Sequence, residues 1–216
     1  MSHLRCADPA SAADHHYTPD ERIVQLLITL LSPSRGVHYS LADIGAGVGQ
    51  MCAALQSRDA ELSCASYDGA GNVENTTQSF VQWIDLTRPL ALPRADWVVS
   101  LEVGEHVPNQ FEPMLVRNLH SMNCRGLLLS CGRYNGRLRG HGDANYHYRS
   151  YLVDLFSQLG YRHIADLAPS YLQKPLRPRH FWFDTNMVGV FERVQPLNLS
   201  GCTLDGSSSA VFTDVQ

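Results

Sequence analysis

The 216-residue sequence predicts an α/β fold: a mostly parallel, seven-stranded sheet with an antiparallel edge strand and helices on both faces. Three observations predict it. Short apolar segments alternate with stretches of helical period, a glycine-rich turn joins the first strand to its helix, and the last apolar segments can close the sheet as a strand pair. Together these features indicate a Rossmann-like architecture.

The elements follow from the pattern in chain order. The first helix starts near Thr18 and Pro19, because threonine can cap a helix, proline suits its first position, and Leu and Ile residues then recur at helical spacing until Pro33. The helix 150–159 leads to the mixed segment 162–167. The predicted strands are 40–44, 62–67, 80–84, 96–101, 126–130, 181–183 and 187–191, and the other predicted helices are 48–58 and 111–122.

These elements make one domain, residues 18–195, and the chain is long enough for one sizeable core. Residues 1–17 show no apolar period and are predicted to be a mobile arm or a lid. Residues 196–216 are rich in Ser and Gly and are predicted to be a disordered tail.

The composition narrows the class of protein. The formal net charge of -4 does not favour a nucleic-acid partner, whose binding domains are usually strongly basic. The longest apolar run, 23–31, is too short to span a membrane, and no signal peptide precedes it. The six cysteines form no C-x-x-C pair and are predicted to be reduced thiols. We therefore expect a cytoplasmic protein with a small-molecule substrate.

The turn after the first strand is a predicted ligand cradle. Its glycines, Gly45, Gly47 and Gly49, are spaced G-x-G-x-G, whereas a dinucleotide fingerprint reads G-x-G-x-x-G. Asp43 precedes the first glycine, where it would repel a diphosphate but could accept hydrogen bonds from an ammonium group. This pattern favours a cationic, amino-acid-like ligand.

A second acid ends the next strand. Asp68, followed by Gly69, is placed to accept two ribose hydroxyls, because both oxygens of a carboxylate can accept at once. The same acid would serve a nucleotide cofactor of either kind, so this residue indicates only a ribose-containing ligand.

At this point the chain resembles the class I S-adenosylmethionine-dependent methyltransferases, whose first motif is an acid followed by G-x-G-x-G. The resemblance implies that Asp43 and the glycine turn hold the methionine moiety of S-adenosyl-L-methionine. It also implies that Asp85 accepts from the adenine amine while Ile84 and Leu86 lie along the ring. The alternative for Asp85 is an acid that only caps the next turn.

The segment after the fourth strand carries a second resemblance. Glu102, Glu105, His106 and Pro108 form an E-x-x-E-H-x-P pattern that is similar to that of many small-molecule methyltransferases. We place Glu102 with the cofactor-binding residues and assign catalysis to His106 and Glu105, because imidazole can take a proton near neutral pH. Alternatively, His106 only hydrogen-bonds a neighbouring carboxylate.

A divalent metal is the less favoured alternative for this segment. Glu102, Glu105 and His106, with His141 or His147 as a later ligand, resemble the metal cluster of ubiquinone-pathway O-methyltransferases and of small-RNA 2′-O-methyltransferases. However, the residues around His141 match neither family well, and the pattern also occurs in metal-free relatives.

Two further segments are predicted to contribute to binding. The irregular segment 131–149 is the predicted substrate loop, and its predicted substrate residues are Arg133, Tyr134, His141 and His147. Arg133, Arg137 and Arg139 would hold a carboxylate or phosphate of the substrate, and a solvated basic loop is the alternative. Tyr17 belongs to the predicted lid over the cofactor, for which a simple arm is the alternative.

The sequence thus predicts a methyltransferase that acts on an oxygen or nitrogen of a small molecule. RNA 2′-O-methylation is the alternative within the same enzyme class. A catalytically silent, cofactor-binding activator subunit is the alternative from another class, and the glycine spacing disfavours a nicotinamide-dependent reductase.

Overall fold

The computed structural model describes residues 19–31, 39–131, 149–165, 167, 188–195 and 202. The helices are α1 (Glu21–Leu31), α2 (Gln50–Gln56), α3 (Val73–Thr76), α4 (Glu112–Met122) and α5 (Arg149–Gln158). The strands are β1 (Tyr39–Ile44), β2 (Leu62–Asp68), β3 (Val81–Trp83), β4 (Ala95–Ser100), β5 (Asn123–Leu129), β6 (Tyr161–His163) and β7 (Gly189–Arg193). Within these ranges no helix is long and apolar enough to cross a membrane.

The seven described strands form one sheet in the order β3-β2-β1-β4-β5-β7-β6. Strands β1 to β5 pair in parallel, and β7 lies antiparallel between β5 and β6. The predicted seven-stranded, mostly parallel sheet is therefore confirmed, with its antiparallel strand next to the edge. The edge strand β6 lies at the start of the mixed segment 162–167, where three residues are too few to show an alternating pattern. The predicted strand 181–183 lies outside the described residues.

Helices cover both faces of the sheet, as predicted. On one face Trp97 and Val99 of β4 pack in a core with α1 and α2. On the other face Val98 packs with α4 and α5. Every residue of β4 is buried, which explains why the sequence of this strand shows no polar alternation.

Four of the six cysteines are paired, so the prediction of reduced thiols is wrong for them. Cys52 of α2 and Cys64 of β2 form one disulfide, and Cys124 of β5 and Cys202 form another. The physical reason is that α2 packs on β2 and brings Cα atoms twelve residues apart to within 5.4 Å, a contact that no local spacing reveals. Cys131 is buried and forms no disulfide.

The strand order places the candidate site. It reverses between β1 and β4, and ligands of open parallel sheets bind outside the carboxyl ends of the strands at such a switch point. The glycine turn follows β1 at this edge, Asp68 ends β2, and Asp85 and Glu102 follow β3 and β4. The fold therefore brings the predicted cofactor residues of four neighbouring strands to one edge.

Candidate functional site

The glycine turn has a backbone that requires glycine. Gly45, Gly47 and Gly49 have φ angles of 80°, 59° and 83°, in the left-handed region that side chains with a Cβ disfavour. The turn is hydrogen-bonded to β2, because the amides of Gly45 and Ala46 both donate to the carbonyl of Tyr67, at 2.8 and 3.0 Å. This anchor holds the turn over the end of the neighbouring strand.

The three glycines differ in what surrounds them. A Cβ on Gly45 would overlap Cγ2 of Val103, and a Cβ on Gly49 would lie 2.6 Å from the ring of Phe80. A Cβ on Gly47 would have no atom within 4 Å. Gly45 and Gly49 therefore allow close packing, whereas Gly47 faces open space that a ligand could enter.

This difference predicts opposite costs for two matched substitutions. Gly45→Ala should destabilise the protein by about 3 kcal/mol, because strain at positive φ adds to overlap with Val103. Gly47→Ala should cost only about 1 kcal/mol, since it adds strain without overlap. Urea denaturation of both variants measures the difference, and adding Val103→Ala to Gly45→Ala should restore part of the loss. Equal losses for the two alanines would contradict this packing.

Asp43 is a buried carboxylate without a bound donor. It lies next to the end of β1 and is 7% exposed, and no described residue donates a hydrogen bond to it. Burial, and secondly the negative charge of Asp68, raise the pKa of Asp43 to about 7. A positively charged N–H donor would compensate the carboxylate for its burial and for the repulsion by Asp68, so the site suits an ammonium group.

Two further polar atoms near this end of the sheet lack partners among the described residues. Ser66, 3% exposed, lies opposite Asp43 in the β1–β2 register, and its Oγ is buried without a hydrogen bond. The Oε1 atom of Gln50, at the start of α2, is likewise buried and unbonded. Because buried polar groups are normally hydrogen-bonded, these atoms fit a region that receives a polar ligand.

Asp68 holds the glycine turn. Its Oδ2 accepts from the amide of Gly47 and its Oδ1 from the amide of Ala70, both at 2.8 Å. Each carboxylate oxygen can accept a second hydrogen bond, so the residue retains capacity for hydroxyl donors. Gly69 follows, and its carbonyl accepts from the indole of Trp83 at 3.2 Å.

The residues after β3 are fixed to their neighbours. The amide of Ile84 donates to the carbonyl of Asp68 at 3.0 Å, and the carbonyl of Leu86 accepts from Asn118. Asp85 accepts from the amide and hydroxyl of Thr87 and pairs with the exposed Arg88. These contacts show Asp85 in a turn-capping role, and its role toward adenine stays a prediction.

The segment after β4 is held by β5. The hydroxyl of Ser130 donates to Oε1 of Glu102 at 2.7 Å and accepts from the Glu102 amide at 3.0 Å. Burial, and secondly the charge of Glu105, raise the pKa of Glu102 to about 7. Glu105 is 4% exposed, and His106 ends the same short 3-10 turn. The segment thus places two carboxyl groups and an imidazole together at the switch point.

The raised pKa values predict how stability depends on pH. The ordinary pKa values of Asp43 and Glu102 are 3.8 and 4.5, and both rise to about 7 in the folded protein. The folded state therefore holds more protons than the unfolded state between these values, and the free energy of unfolding falls as pH rises through 7. Below its ordinary pKa of 6.5, His120 opposes this trend, since burial lowers its pKa to about 4.

We therefore expect the protein to be more stable at about pH 6.5 than at about pH 8.5. Urea denaturation across this range measures the slope. A free energy of unfolding that stays constant or rises with pH would show that these carboxyl groups ionise without cost in the folded protein.

Five predicted binding residues lie outside the described residues: Tyr17, Arg133, Tyr134, His141 and His147. Their roles stay predictions. Within the described ranges, no group of three or more His, Cys, Asp or Glu side chains is placed to hold a metal ion. Glu102, Glu105 and His106 therefore do not form such a group by themselves.

Comparisons with known proteins agree on the fold. No protein-family model and no curated protein matches the chain. The structure is similar to magnesium protoporphyrin IX methyltransferase from Synechocystis PCC 6803 with bound SAH, with a TM-score of 0.53 and 16% identity over 80% of this chain and 83% of that one. It is also similar to the CurJ carbon methyltransferase, with a TM-score of 0.58 and 14% identity over 88% of this chain and 59% of that one.

A third similar structure is the methyltransferase domain of bacterial CtHen1, with a TM-score of 0.54 and 14% identity over 80% of this chain and 97% of that one. At these identities the likeness concerns the fold. The chain therefore has the Rossmann-like fold of the class I methyltransferases.

Sequence reasoning missed four residues that shape this site: Gln50, Ser66, Val103 and Ser130. Only Ser66 carried a signal, because a polar residue two positions before the strand-ending Asp68 lies beside Asp43 once β1 and β2 pair. The contacts of Val103 with Gly45 and of Ser130 with Glu102 join residues far apart in the chain, and no local pattern indicates them.

Proposed function

We propose that the chain binds S-adenosyl-L-methionine and transfers its methyl group to an oxygen or nitrogen of a small molecule. The observation that carries this proposal is Asp43: a carboxylate buried at the switch point, with no described donor, beside a glycine turn that opens at Gly47. S-adenosyl-L-methionine carries an ammonium group as well as its sulfonium. The ammonium group would supply the positive partner for this carboxylate. The fold, shared with methyltransferases, supports the same reading.

The proposed binding roles follow the strand ends. Asp43 accepts from the cofactor amine, and the open space at Gly47 receives the methionine moiety. Asp68 accepts from the ribose hydroxyls with the lone pairs that its two amide donors leave unused. Asp85 accepts from the adenine amine, with Ile84 and Leu86 on either side of it.

The bound cofactor supplies an electrophilic methyl group, so the chain must align an acceptor atom and exclude water. In this proposal His106 takes the proton from the acceptor, and Glu105, buried one residue earlier, holds the imidazole in place. A small acceptor is consistent with the net charge of -4, which offers no general attraction for a polyanion.

Calorimetry with purified protein tests the binding half of the proposal. S-adenosyl-L-methionine and S-adenosylhomocysteine should each bind at one site, whereas NAD should not. The Gly47→Ala variant should fold and bind both more weakly, because its methyl group enters the open space of the cradle. Binding of NAD without binding of either sulfur nucleotide would overturn the proposal in favour of a reductase.

Transfer of a radiolabelled methyl group to a library of phenols, amines and carboxylic acids tests the catalytic half. The wild type should label at least one class, and His106→Asn should keep cofactor affinity but lose transfer. Tight cofactor binding with no transfer to small molecules, and transfer only to RNA or only in the presence of a second protein, would instead support one of the alternatives.

A further inference from the structure

Glu102 has a backbone conformation that its side chain disfavours. Its φ of 55° lies in the left-handed region, where residues with a Cβ cost roughly 1–2 kcal/mol. Such strain persists only where the surroundings hold it, and it concentrates at functional sites.

Ser130 binds Glu102 at two points. Its hydroxyl accepts from the backbone amide of Glu102 at 3.0 Å and donates to the carboxylate of the same residue at 2.7 Å. Ser130 is 4% exposed, and its own amide donates to the carbonyl of Ser100 at 3.1 Å, which fixes it at the end of β5. One rigidly placed hydroxyl therefore fixes both the main chain and the side chain of Glu102.

The conformation of Glu102 decides where the next residue lies. Val103 packs so closely on Gly45 that a Cβ there would overlap its Cγ2 atom. Val103 thus packs directly against Gly45, the first glycine of the turn. If Glu102 adopted an ordinary backbone conformation, the direction of the chain at Val103 would change and this contact would be lost.

We propose that Ser130 is a positioning residue for the candidate cofactor site: its hydroxyl holds Glu102 in the left-handed conformation and thereby seats Val103 on the glycine turn. The effect on cofactor affinity rests on the proposed function, whereas the effect on the backbone does not. Among the described residues, the hydrogen bonds of Ser130 go to Glu102 and Ser100 and not to the glycine turn, Asp43 or Asp68, so it acts through Glu102 and Val103.

A double-mutant cycle tests whether the effect of Ser130 passes through Glu102. Glycine adopts the left-handed conformation without strain and has no carboxylate, so Glu102→Gly should reduce the need for the hydroxyl to its one bond with the backbone amide of residue 102. Ser130→Ala should weaken binding of S-adenosylhomocysteine about tenfold in the wild type and less than about twofold in the Glu102→Gly background, a coupling typical of residues in contact. Ser121→Ala, an exposed serine at the end of α4, is the matched control and should change nothing.

The same four proteins are compared by urea denaturation without ligand. Ser130→Ala should lower the unfolding midpoint clearly more when residue 102 is Glu than when it is Gly, because the Gly variant keeps only the amide bond to the hydroxyl and has no backbone strain to hold. Additive effects in both measurements, or no effect of Ser130→Ala, would overturn the proposal. If the wild type binds no sulfur nucleotide, the proposed function fails, and the denaturation cycle alone decides the role of Ser130.

Discussion

Asp43→Asn is expected to reduce the affinity for S-adenosyl-L-methionine by more than about a hundredfold and, at the same time, to stabilise the free protein. The first effect follows because the amide removes the only negative charge proposed to face the cofactor amine, and hydrogen bonds between charged groups are roughly twice as strong as neutral ones. Isothermal titration calorimetry at about pH 8, where the wild-type carboxylate is ionised, measures it.

The gain in stability follows from the same burial. Ionising Asp43 in the folded protein is costly, because its pKa rises from 3.8 to about 7. Since a tenfold change is worth about 1.4 kcal/mol, the upper limit of this cost at alkaline pH is roughly 4 kcal/mol. Asn avoids the cost, so urea denaturation at about pH 8 should show a more stable variant, with less dependence on pH between about 6 and 8.5.

Asp96→Asn provides the matched control. Asp96 is also a buried aspartate of the sheet, 1% exposed, but its carboxylate accepts from the amide and hydroxyl of Ser40 and pairs with Arg125. Asn at this position should therefore destabilise the protein, by about 1–3 kcal/mol. If both variants were destabilised equally, Asp43 would be an ordinary paired carboxylate and the cofactor assignment would lose its main support.

Removing the disulfide between Cys124 and Cys202 should cause the largest loss of stability. The bond closes a loop with a sequence separation of 78, and the loop-entropy relation gives about 4.5 kcal/mol for it. For the bond between Cys52 and Cys64, with a separation of 12, the relation gives about 3 kcal/mol. The longer loop loses more because its ends are further apart in the unfolded chain.

Urea denaturation with and without reductant measures these losses. The wild type should be strongly destabilised by reductant, the Cys52→Ala/Cys64→Ala and Cys124→Ala/Cys202→Ala variants less so, and the fourfold variant not at all. Alkylation of the unfolded, unreduced protein should label Cys131 and leave the four bonded cysteines unlabelled. Labelling of all of them would show that the thiols are reduced.

The disulfides also bear on localisation. Structural disulfides persist mainly in oxidising compartments. The prediction of a cytoplasmic protein rested on an apolar run too short to span a membrane and on the lack of a signal peptide pattern, and it stays a prediction that the paired cysteines do not favour. Cys202 further ties part of the predicted tail, 196–216, to β5, although the rest of that tail lies outside the described residues.

The sequence predicts those parts of the fold that depend on residues close together along the chain. The strands β1 to β5 were predicted within a few residues, and the clearest signal came from β4, which is buried along its whole length and reads as a nearly continuous apolar run. The glycine spacing predicted the turn, since positive φ and close packing at Gly45 and Gly49 both require a residue without Cβ. The strand-end positions of Asp68 and Asp85 could be predicted because acids that follow parallel strands meet at one edge of the sheet, and their roles toward a ligand stay predictions.

Features that depend on pairing between distant segments escaped prediction. The bond between Cys52 and Cys64 needs α2 docked on β2, and the contact of Ser130 with Glu102 joins residues 28 positions apart at neighbouring strand ends. The left-handed conformation of Glu102 is also invisible in the sequence, because glutamate rarely adopts it. These contacts become visible only when the strand register is known.

A crystal structure of the protein with S-adenosylhomocysteine shows whether the three carboxylates surround one ligand. The amine of the ligand should lie at the carboxylate of Asp43, the ribose hydroxyls at Asp68 and the adenine amine at Asp85. A ligand bound elsewhere on the chain, or one whose amine, sugar and purine lie away from these three carboxylates, would contradict the proposed cofactor site.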